Sequence, residues 1–487
     1  MNKGFAISGM IYSILILFLL ILFGLLSVMG ARKMILDKLK NDVITELNYD
    51  ISQNGESLIS LLLRRYLNNN TTGLVKDSTN QNLYYYTGTE EQVSNNYLLY
   101  GGHLWRVLEF DTSDNTLTLV TQQPLTTIQP ASSVWTTQSE YESSYINIWL
   151  KDYFYNSLNS SIQSNIQKTT FNVGIYTNVG EIKTEQKVGL LDEEQYKKAG
   201  STNSFLDIKD YWLLGNRYSS SDVRHVYYNG HLSHSGPSSG YGVRAVIKIS
   251  DITITEGDGT LADNYRTANK ATNTNNVQVG EYINVPYSGS DNACGSDDIC
   301  TFKVVSKDSD SIKVVLNGLL PTKSAYGSST TISISHTIYT KLKTFAEGIS
   351  DTYRYTGNKT FYIGDYPYEY GTGQNYEDIK DETLQASVGL PTVGEIFSGN
   401  DIDLSTSSTK TFVDVNTIEN PTVSYYYWTM NRESSSNVHY VYYLGNQSYF
   451  SPSNSGGVRA VIYLKSGTSA ITFTGGEGTP NSPYVLQ

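Results

Sequence analysis

An internal repeat constrains this sequence more than any other feature. Residues 216–247 align without a gap to residues 431–462, and 19 of the 32 aligned positions are identical. A tryptophan precedes each aligned segment, at Trp212 and Trp428, and a Val-Gly-Leu motif recurs upstream of both. Because these features follow in the same order in both halves, we predict two copies of one fold within the chain.

Each copy also contains a recognisable pattern upstream of the aligned segment. Residues 104–120 and 301–316 both read as an apolar strand, a polar turn and a second apolar strand, which predicts a β-hairpin. Helices are expected near residues 145–158 and 337–349. We therefore predict that each copy is an α+β module.

The first 67 residues have a different character. Residues 4–31 carry no charge, and the run of Ile, Leu and Phe from 11 to 30 is almost unbroken. About 20 apolar residues suffice for a membrane-spanning helix, whereas a cleavable secretory signal has an apolar core of only about 7–15. Beyond this run, apolar residues recur at steps of three and four as far as Leu67. The pattern predicts a transmembrane helix that continues into a long amphipathic helix.

These patterns together predict five segments. They are a membrane anchor with its leader and helix (1–30), an amphipathic stalk helix with a linker (31–81), the first copy (82–262), a second linker (263–277) and the second copy (278–487).

The extreme N-terminus resembles that of type IV prepilins and pseudopilins. The resemblance rests on the short basic leader Met-Asn-Lys-Gly, an aromatic residue after it and the hydrophobic helix that comes next. It implies cleavage after Gly4, with Phe5 as the new N-terminus. The fifth residue after that cut is usually Glu in such pilins but is Gly9 here, which argues against ordinary pilin polymerisation. An anchor that is not cleaved is the alternative.

Two observations disagree on the orientation of the anchor. Four basic residues follow the apolar run, which favours a cytoplasmic C-terminal flank. The rest of the chain is rich in Tyr, Ser, Asn and Thr, and Cys294 and Cys300 are spaced for a small disulfide loop outside the cell, although they could also be two free thiols. We expect a single-pass protein of the cell membrane with both copies extracellular.

Charge and motifs exclude several functions. The net charge of −12 argues against nucleic acid as a partner. No HExxH or P-loop motif occurs and no GxSxG is placed between a predicted strand and a helix, so neither an enzyme nor a cofactor is predicted. His231 and His234 have a spacing that could suit a metal, but Asn446 and Tyr449 stand at the equivalent positions of the second copy. No metal site is therefore predicted.

The repeated segment resembles the C-type-lectin-like domains of bacterial surface proteins. The shared features are a tryptophan, a Ser-rich stretch, a V-x-x-V-Y-Y-x-G hairpin and a final G-V-R-A-V-I strand, in which Ala245 and Ala460 replace the usual proline. The resemblance covers both copies and is most specific at their C-terminal ends. It implies two tandem C-type-lectin-like modules after the N-terminal helices.

Positions that are identical in the two copies are expected to form the scaffold. Trp212 and Trp428 are predicted to anchor the core. Arg244 and Arg459 lie inside an apolar strand, so each guanidinium needs a carboxylate or carbonyl partner. Gly230 is expected in a turn that requires positive φ.

Positions that differ between the copies are mostly large polar or aromatic residues. Such residues on a constant frame resemble the composition of an antibody paratope, in which Tyr supplies contact area and Ser, Asn and His supply hydrogen bonds. We predict an exposed ligand-binding face in each copy, and neutral variation on a solvated surface is the alternative. The predicted face comprises Tyr218, Asp222, Arg224, His225, Asn229, His231 and His234 in the first copy and Glu433, Asn437, His439, Tyr440, Asn446 and Tyr449 in the second.

These expectations describe an adhesin or ligand-binding protein at the cell surface or on a pilus. Its ligand would be a protein or a glycan, and two copies on one chain would gain avidity if both engage the target. The membrane and, in a filament, other pilins would be further partners. The alternative is a structural minor pseudopilin of a type IV pilus or a type II secretion-like filament. An enzyme acting on envelope glycans is less favoured.

Overall fold

The structure is a computed structural model, and it describes a large part of the chain. The described residues are 55–68, 73–174, 181–208, 212–227, 229–290, 293–294, 297–364, 382–397, 426–442 and 447–487. Contacts divide the chain into two compact units, Met1–Glu56 and Ser57–Gln487. Both copies of the repeat belong to the second unit.

The predicted fold class requires correction. The structure is mostly β-sheet, with 37% of residues in strands and 16% in helices, whereas the sequence predicted α+β modules of the C-type-lectin-like kind behind a long N-terminal helix. No helix among the described residues is both long and apolar enough to cross a membrane. The predicted transmembrane helix lies outside the described residues.

The long amphipathic helix is also corrected, because only its last ten residues, Leu58–Leu67, are helical in the described part of the chain. Ser57 caps this helix, and its side-chain oxygen accepts a hydrogen bond from the Ser60 amide. Asp251 accepts a hydrogen bond from the Ile59 amide at 3.1 Å, and Leu58 and Leu62 are completely buried. This helix therefore packs against the first copy, and the earlier part of the predicted stalk, 31–54, lies outside the described residues.

The first copy is built on a nine-stranded sheet. Its main path runs through the strands Val188–Gly189, Val246–Ser250, Thr116–Thr121, His103–Asp111, Leu83–Tyr86 and Leu74–Lys76, and the strands Tyr97–Tyr100, Ile166–Gln167 and Tyr265–Arg266 pair beside it. Thr116–Thr121 is buried at every position because it lies in the middle of this sheet.

The second copy repeats the middle of that path. Its seven-stranded sheet runs through Val388–Gly389, Val461–Lys465, Ser311–Leu316, Ile299–Lys307, Tyr282–Pro286, Tyr484–Leu486 and Phe473–Gly475. In both copies the last strand of the repeated segment, Val246–Ser250 or Val461–Lys465, pairs antiparallel with two strands. One is the second strand of the predicted hairpin, and the other is the short strand formed by the Val-Gly motif. The shared sequence thus has the same strand pairing in both halves.

A smaller sheet in each copy carries the segment in which the copies differ. In the first copy it has five strands, Leu232–Ser235, Val223–Val226, Trp212–Arg217, Tyr241–Val243 and Thr126–Ile128, and in the second it has three, Tyr426–Arg432, Val438–Tyr442 and Gln447–Phe450. Short two-stranded pairs complete the β-structure: Thr169–Asn172 with Lys183–Gln186, Lys359–Tyr362 with Thr383–Ala386, and Ser324–Ala325 with Ser455–Gly456. The remaining strands are Glu56–Ser57 and Thr253–Ile254.

Helices are short and occur between the strands. Besides Leu58–Leu67 they are Gln138–Glu142, Tyr145–Ile148, the π-helix Trp149–Phe154, Tyr155–Ser157, Ser160–Asn165, Glu193–Lys198, Thr337–Glu347, Val393–Phe397 and the 3₁₀ turn Gly467–Ser469. The helices predicted near 145–158 and 337–349 are confirmed, the former as α, π and α segments in succession.

Two identical asparagines explain part of the common frame. Asn216 accepts a hydrogen bond from the Glu193 amide at 2.7 Å, and Asn431 accepts one from the Val393 amide at 2.8 Å. Both amides are at the first position of a helix, where no partner within the helix exists. Both asparagine side chains are buried. In each copy, the same hydrogen bond therefore connects the start of a helix to the smaller sheet.

The identical arginines and tryptophans have the roles that were predicted. The Arg244 guanidinium donates to the carbonyls of Thr121 and Leu206, both at 2.8 Å, and Arg459 donates to the Leu316 carbonyl at 3.0 Å. Carbonyl partners for these buried cations are thereby confirmed. Trp212 and Trp428 are almost completely buried, and Gly230 has a φ of 77°, so these predictions are confirmed as well.

The segment predicted as a linker, 263–277, has ordered contacts with both copies. Its strand Tyr265–Arg266 pairs in parallel with Tyr97–Tyr100 of the first copy. The Thr274 hydroxyl donates to the Lys465 carbonyl of the second copy at 2.7 Å. The segment is therefore part of the interface between the copies.

A buried polar cluster forms part of that interface. The Arg266 guanidinium donates to the Glu281 carboxylate at 2.8 Å, and the Tyr484 hydroxyl donates to the same carboxylate at 3.0 Å. Burial raises the pKa of Glu281 to about 7, although a backbone hydrogen bond from Gln278 and the charge of Arg266 act in the opposite direction. Elsewhere at the interface, the Trp149 indole donates to the Phe397 carbonyl at 2.7 Å.

Candidate functional site

The positions predicted as a ligand-binding face fall on two equivalent hairpins. We call the strands Val223–Val226 and Leu232–Ser235 the first hairpin, and Val438–Tyr442 and Gln447–Phe450 the second hairpin. Each hairpin lies at the end of its sheet, because its outer strand pairs on one side only within the described residues. The hairpins are therefore placed to present side chains outward.

In the first hairpin, Arg224 and His234 are directly opposite each other on adjacent strands. The His234 ring stacks on the Tyr218 ring with centroids 3.9 Å apart and planes inclined by 18°. The Arg224 guanidinium lies over the same Tyr218 ring, 4.1 Å from its centroid. Tyr218 is thus in contact with two cationic or potentially cationic groups, an arrangement that restricts the motion of an exposed ring.

A carboxylate outside the hairpin orients Arg224. The Glu193 carboxylate accepts hydrogen bonds from Nε and Nη2 of Arg224 at 2.6 and 3.2 Å, and it also pairs with Lys197 at 2.6 Å. Burial opposes ionisation of Glu193, but the hydrogen bonds from Arg224 and Lys197 outweigh burial and hold its pKa below the usual value. Because the pairing with Arg224 is bidentate, it fixes the plane of the guanidinium beside Tyr218.

Asp222 extends this cluster to the other side of His234. Its carboxylate is 3.3 Å from Nδ1 of His234, and it accepts a hydrogen bond from the Ser219 hydroxyl at 3.2 Å. An N–H at Nδ1 of the His234 ring can donate to this carboxylate. Tyr218, Asp222, Arg224 and His234, which we call the first cluster, are therefore brought together by the fold.

The other three predicted residues of the first copy are placed differently. Asn229 and His231 are exposed at the turn, where the Asn229 side chain accepts a hydrogen bond from the His231 amide at 3.2 Å. His225 is buried on the opposite face of the strand and packs against Tyr241 at 5.0 Å. Burial, aided by the charges of His234 and Arg224, lowers the pKa of His225 to about 4. His225 thus supports the sheet from within and has no access to a surface ligand.

In the second copy, two of the predicted polar residues are hydrogen-bonded to each other. The Asn437 side chain donates to the Glu433 carboxylate at 3.2 Å. His439 is completely buried, and its Nδ1 is 3.1 Å from the side-chain nitrogen of Gln447. Asn446 lies outside the described residues. The polar cluster around Arg224 therefore has no counterpart at the equivalent positions of the second copy that the structure describes.

Aromatic rings dominate the second hairpin instead. Phe450 stacks on Tyr440 at 4.8 Å and meets Tyr426 edge-on at 5.3 Å. Tyr440 itself is 7% exposed, whereas Phe450 and Tyr449 are 39% and 40% exposed. The outer strand thus places one large ring on each of its two faces, because consecutive residues of a strand point in opposite directions.

The sequence prediction did not include two residues that shape these surfaces. Phe450 occupies a position that differs between the copies, with Ser235 as its counterpart, so that difference could have identified it. Glu193 lies 31 residues from Arg224 in sequence, and no local pattern links the two.

The remaining predicted sites concern processing and disulfide formation. Gly4 and Phe5 lie outside the described residues. Cys294 and Cys300 form a disulfide whose Cα atoms are 4.8 Å apart. Across the described part of the chain, no group of three or more His, Cys, Asp and Glu side chains is arranged to hold a metal ion.

A second concave site lies between the copies. This cleft has a volume of about 430 Å³, within the range typical of small-ligand pockets. The first copy contributes residues near Leu99, Gln123 and Ile208, and the second contributes residues near Tyr282 and Asn481. It was not predicted, because each copy supplies only one wall.

Comparison with known proteins gives one match. Residues 115–251 match a family described as a domain of unknown function (DUF6273). The matched segment runs from the central hairpin to the closing strand of the first copy and includes the first cluster. No curated protein matches the chain. No solved structure matches it either.

Proposed function

We propose that this protein is a ligand-binding protein that recognises its target through the two hairpins. The observation that carries the proposal is the exposed Tyr218 ring, held between His234 and Arg224, with Arg224 fixed in turn by Glu193. An aromatic surface that is already ordered loses little entropy on binding, which is the main cost for an exposed side chain.

The second hairpin supports the same function with different chemistry. Its exposed Tyr449 and Phe450 offer apolar rings in place of the charged cluster of the first hairpin. Apolar and aromatic side chains exposed at the edge of a sheet are typical of recognition surfaces. The two hairpins would therefore contact chemically distinct parts of a protein or glycan target.

Display of these hairpins at the cell surface would make the protein an adhesin. That location rests on the sequence of residues 1–30, which lie outside the described residues, and it stays a prediction. A structural subunit of a filament is the competing function, because it would not need the hairpins to bind a ligand.

Two double variants and a matched control test the proposal. We expect Tyr218→Ala/His234→Ala and Tyr449→Ala/Phe450→Ala to reduce binding of the full-length protein to glycan and protein arrays and to whole cells. Ile334→Ala is the control, because Ile334 is 66% exposed and belongs to neither hairpin. Equal binding by all three variants and the unmodified protein, at equal folded fraction by circular dichroism, would contradict the proposal.

A further inference from the structure

We propose that a pocket on the large sheet of the first copy binds a primary alkylammonium group, of the kind that a lysine side chain or a small diamine carries. The pocket has a volume of about 330 Å³, within the range typical of small-ligand sites. It shares no residue with the two hairpins, so this inference does not depend on the proposed function.

Three elements of the first copy line this pocket. Glu109 and Thr118 lie directly opposite each other on neighbouring strands of the large sheet. Phe171 belongs to a two-stranded pair, and Asp192 and Gln195 belong to the start of a short helix. The pocket is therefore formed within one copy by elements that are distant in sequence.

Two carboxylates make part of the lining anionic. The Thr118 hydroxyl donates to the Glu109 carboxylate at 3.2 Å, and the backbone amide of Gln195 donates to the Asp192 carboxylate at 2.7 Å. Burial raises the pKa of both carboxyl groups. These neutral donors thus replace only part of the hydration that the carboxylates lose, and a cation that enters the pocket would be attracted to them.

The lysines in and near the pocket pair with carboxylates outside its lining. These pairs are Lys183–Glu181, Lys248–Asp114 and Lys198–Asp77, at 2.5, 3.0 and 3.0 Å. By contrast, Glu109 and Asp192 form no ion pair with any residue that the structure describes. The negative charge of the lining is therefore available to a cationic ligand.

The second copy has a lysine at the position equivalent to Thr118. Thr118 is paired across the sheet with Lys248, and Lys313 is paired in the same way with Tyr463. Lys248 and Tyr463 are each the first residue after the aligned repeat, so Thr118 and Lys313 occupy equivalent places in the two sheets.

The surroundings of Lys313 show which group fits this place. Its ammonium pairs with the Glu395 carboxylate, and it lies 5.3 Å from the centroid of the Phe361 ring, a position in which a cation is attracted to the ring. Phe171 and Phe361 both pack against the glycine of the Val-Gly motif. Gln195 and Glu395 both accept a hydrogen bond from the backbone amide three residues earlier. The two sites are therefore equivalent in structure.

The first copy keeps these surroundings but has a short side chain where the second copy has the alkylammonium group. Thr118 replaces the lysine, Gln195 replaces the carboxylate that pairs with it, and Glu109 brings a carboxylate from the neighbouring strand. An alkylammonium ligand would thus complete from outside the arrangement that Lys313 completes from within the chain.

The diamine cadaverine and the diol of the same carbon chain serve as probes, with the full-length protein in isothermal titration calorimetry. We expect saturable binding of cadaverine that is at least about tenfold tighter than that of the diol, because one charge-assisted hydrogen bond can supply that factor. Cadaverine binding should also weaken as sodium chloride is raised. Absence of saturable cadaverine binding, or equal affinity for the two probes, would overturn the proposal.

A lysine derivative distinguishes the two sources of the ammonium group. The probe is Nα-acetyl-L-lysine methylamide, which presents the side chain as a protein does. Tighter binding of this probe than of cadaverine supports a lysine of a protein partner, and the reverse order supports a free diamine. Either order supports an ammonium site, whereas failure of both to bind overturns it.

A charge-removing variant assigns the binding to this pocket. Glu109→Gln keeps the shape of the side chain and should weaken cadaverine binding about tenfold. Glu91→Gln removes the same charge at an exposed residue outside the lining and should bind as the unmodified protein does. Equal binding by Glu109→Gln and Glu91→Gln would place the amine elsewhere and overturn the assignment.

A second variant fills the pocket from within. Thr118→Lys/Gln195→Glu introduces the ion pair of the second copy and should abolish cadaverine binding while thermal unfolding remains cooperative. Undiminished binding by the folded double variant would overturn the proposal, and Glu109→Gln decides the question if this variant does not fold. Tyr218→Ala/His234→Ala should bind cadaverine normally, which separates this test from that of the hairpins.

Discussion

The rings of Tyr218 and His234 are stacked with their centroids 3.9 Å apart, although both residues are exposed and 16 positions apart in the chain. This contact exists because the first hairpin folds back beside the end of the strand Trp212–Arg217. The Arg224 guanidinium also lies over the Tyr218 ring, 4.1 Å from its centroid. Arg224 is held in turn by two hydrogen bonds to the Glu193 carboxylate.

Loss of Glu193 should destabilise the first copy more than loss of both charges together. Glu193→Ala leaves Arg224 partly buried without its carboxylate, and we expect a loss of about 3 kcal/mol in the free energy of unfolding. Glu193→Ala/Arg224→Met removes both charges, and its loss should be smaller. Urea unfolding measures both values. If the double variant is destabilised by the full sum of the losses of Glu193→Ala and Arg224→Met measured separately, Glu193 and Arg224 are not energetically coupled.

His225 should make the protein sensitive to acid. Its pKa is about 4 in the folded state and near 6.5 when unfolded, so the folded state binds fewer protons between these values. The stability due to the neutral imidazole is complete above about pH 6.5 and is lost as the pH falls through about 4. His225→Gln should unfold with a smaller dependence on pH in this window, as measured by urea titration at successive pH values. The same slope for variant and unmodified protein would refute this assignment.

Glu281 should have the opposite effect. Its pKa is about 7 in the folded state, above the ordinary carboxyl value of about 4.5, so the folded state binds more protons between these values. The stability associated with the protonated carboxyl is present below about pH 4.5 and decreases as the pH rises through about 7. Glu281→Gln keeps the shape and cannot ionise, so the decrease from pH 4.5 to 7 should diminish. Comparison of the unfolding free energies of variant and unmodified protein across this range is the measurement, and Glu347→Gln, at an exposed carboxylate, is the control.

The pairing of strands could be predicted from the sequence better than the surfaces they carry. Alternating apolar residues and the repeat were sufficient to place the hairpins, because both are local patterns. The burial of His225 and His439 could not be predicted from the sequence, because it depends on which residues pack over each strand. The cleft was also not visible, because its walls come from residues as far apart as Leu99 and Asn481.

The N-terminal helix shows the same limit in another form. A hydrophobic periodicity as far as Leu67 predicted a long amphipathic helix. Of that predicted helix, the structure describes residues from 55 onward, and these are helical from Leu58 to Leu67. The cap at Ser57 and the contact with Asp251 define its start. Periodicity reports which residues are apolar, whereas the start of a helix depends on partners that are distant in sequence.

His225 and Tyr440 occupy equivalent positions in the two copies but differ in volume. In the first copy His225 packs against Tyr241. In the second copy Tyr440 is equivalent to His225, and Gly456 is equivalent to Tyr241. A side chain at position 456 would meet the rings of Tyr426 and Trp428 within 2.6 Å.

Each copy therefore combines one larger and one smaller residue at this pair. Gly456→Ala should destabilise the protein by about 1–3 kcal/mol through overcrowding. His225→Tyr should do the same in the first copy, and Tyr241→Gly in the same molecule should recover part of the loss, because it restores the combination found in the second copy. Thermal and urea unfolding of the single and double variants measure the coupling. A double variant that is less stable than both single variants would show that the two positions do not share one space.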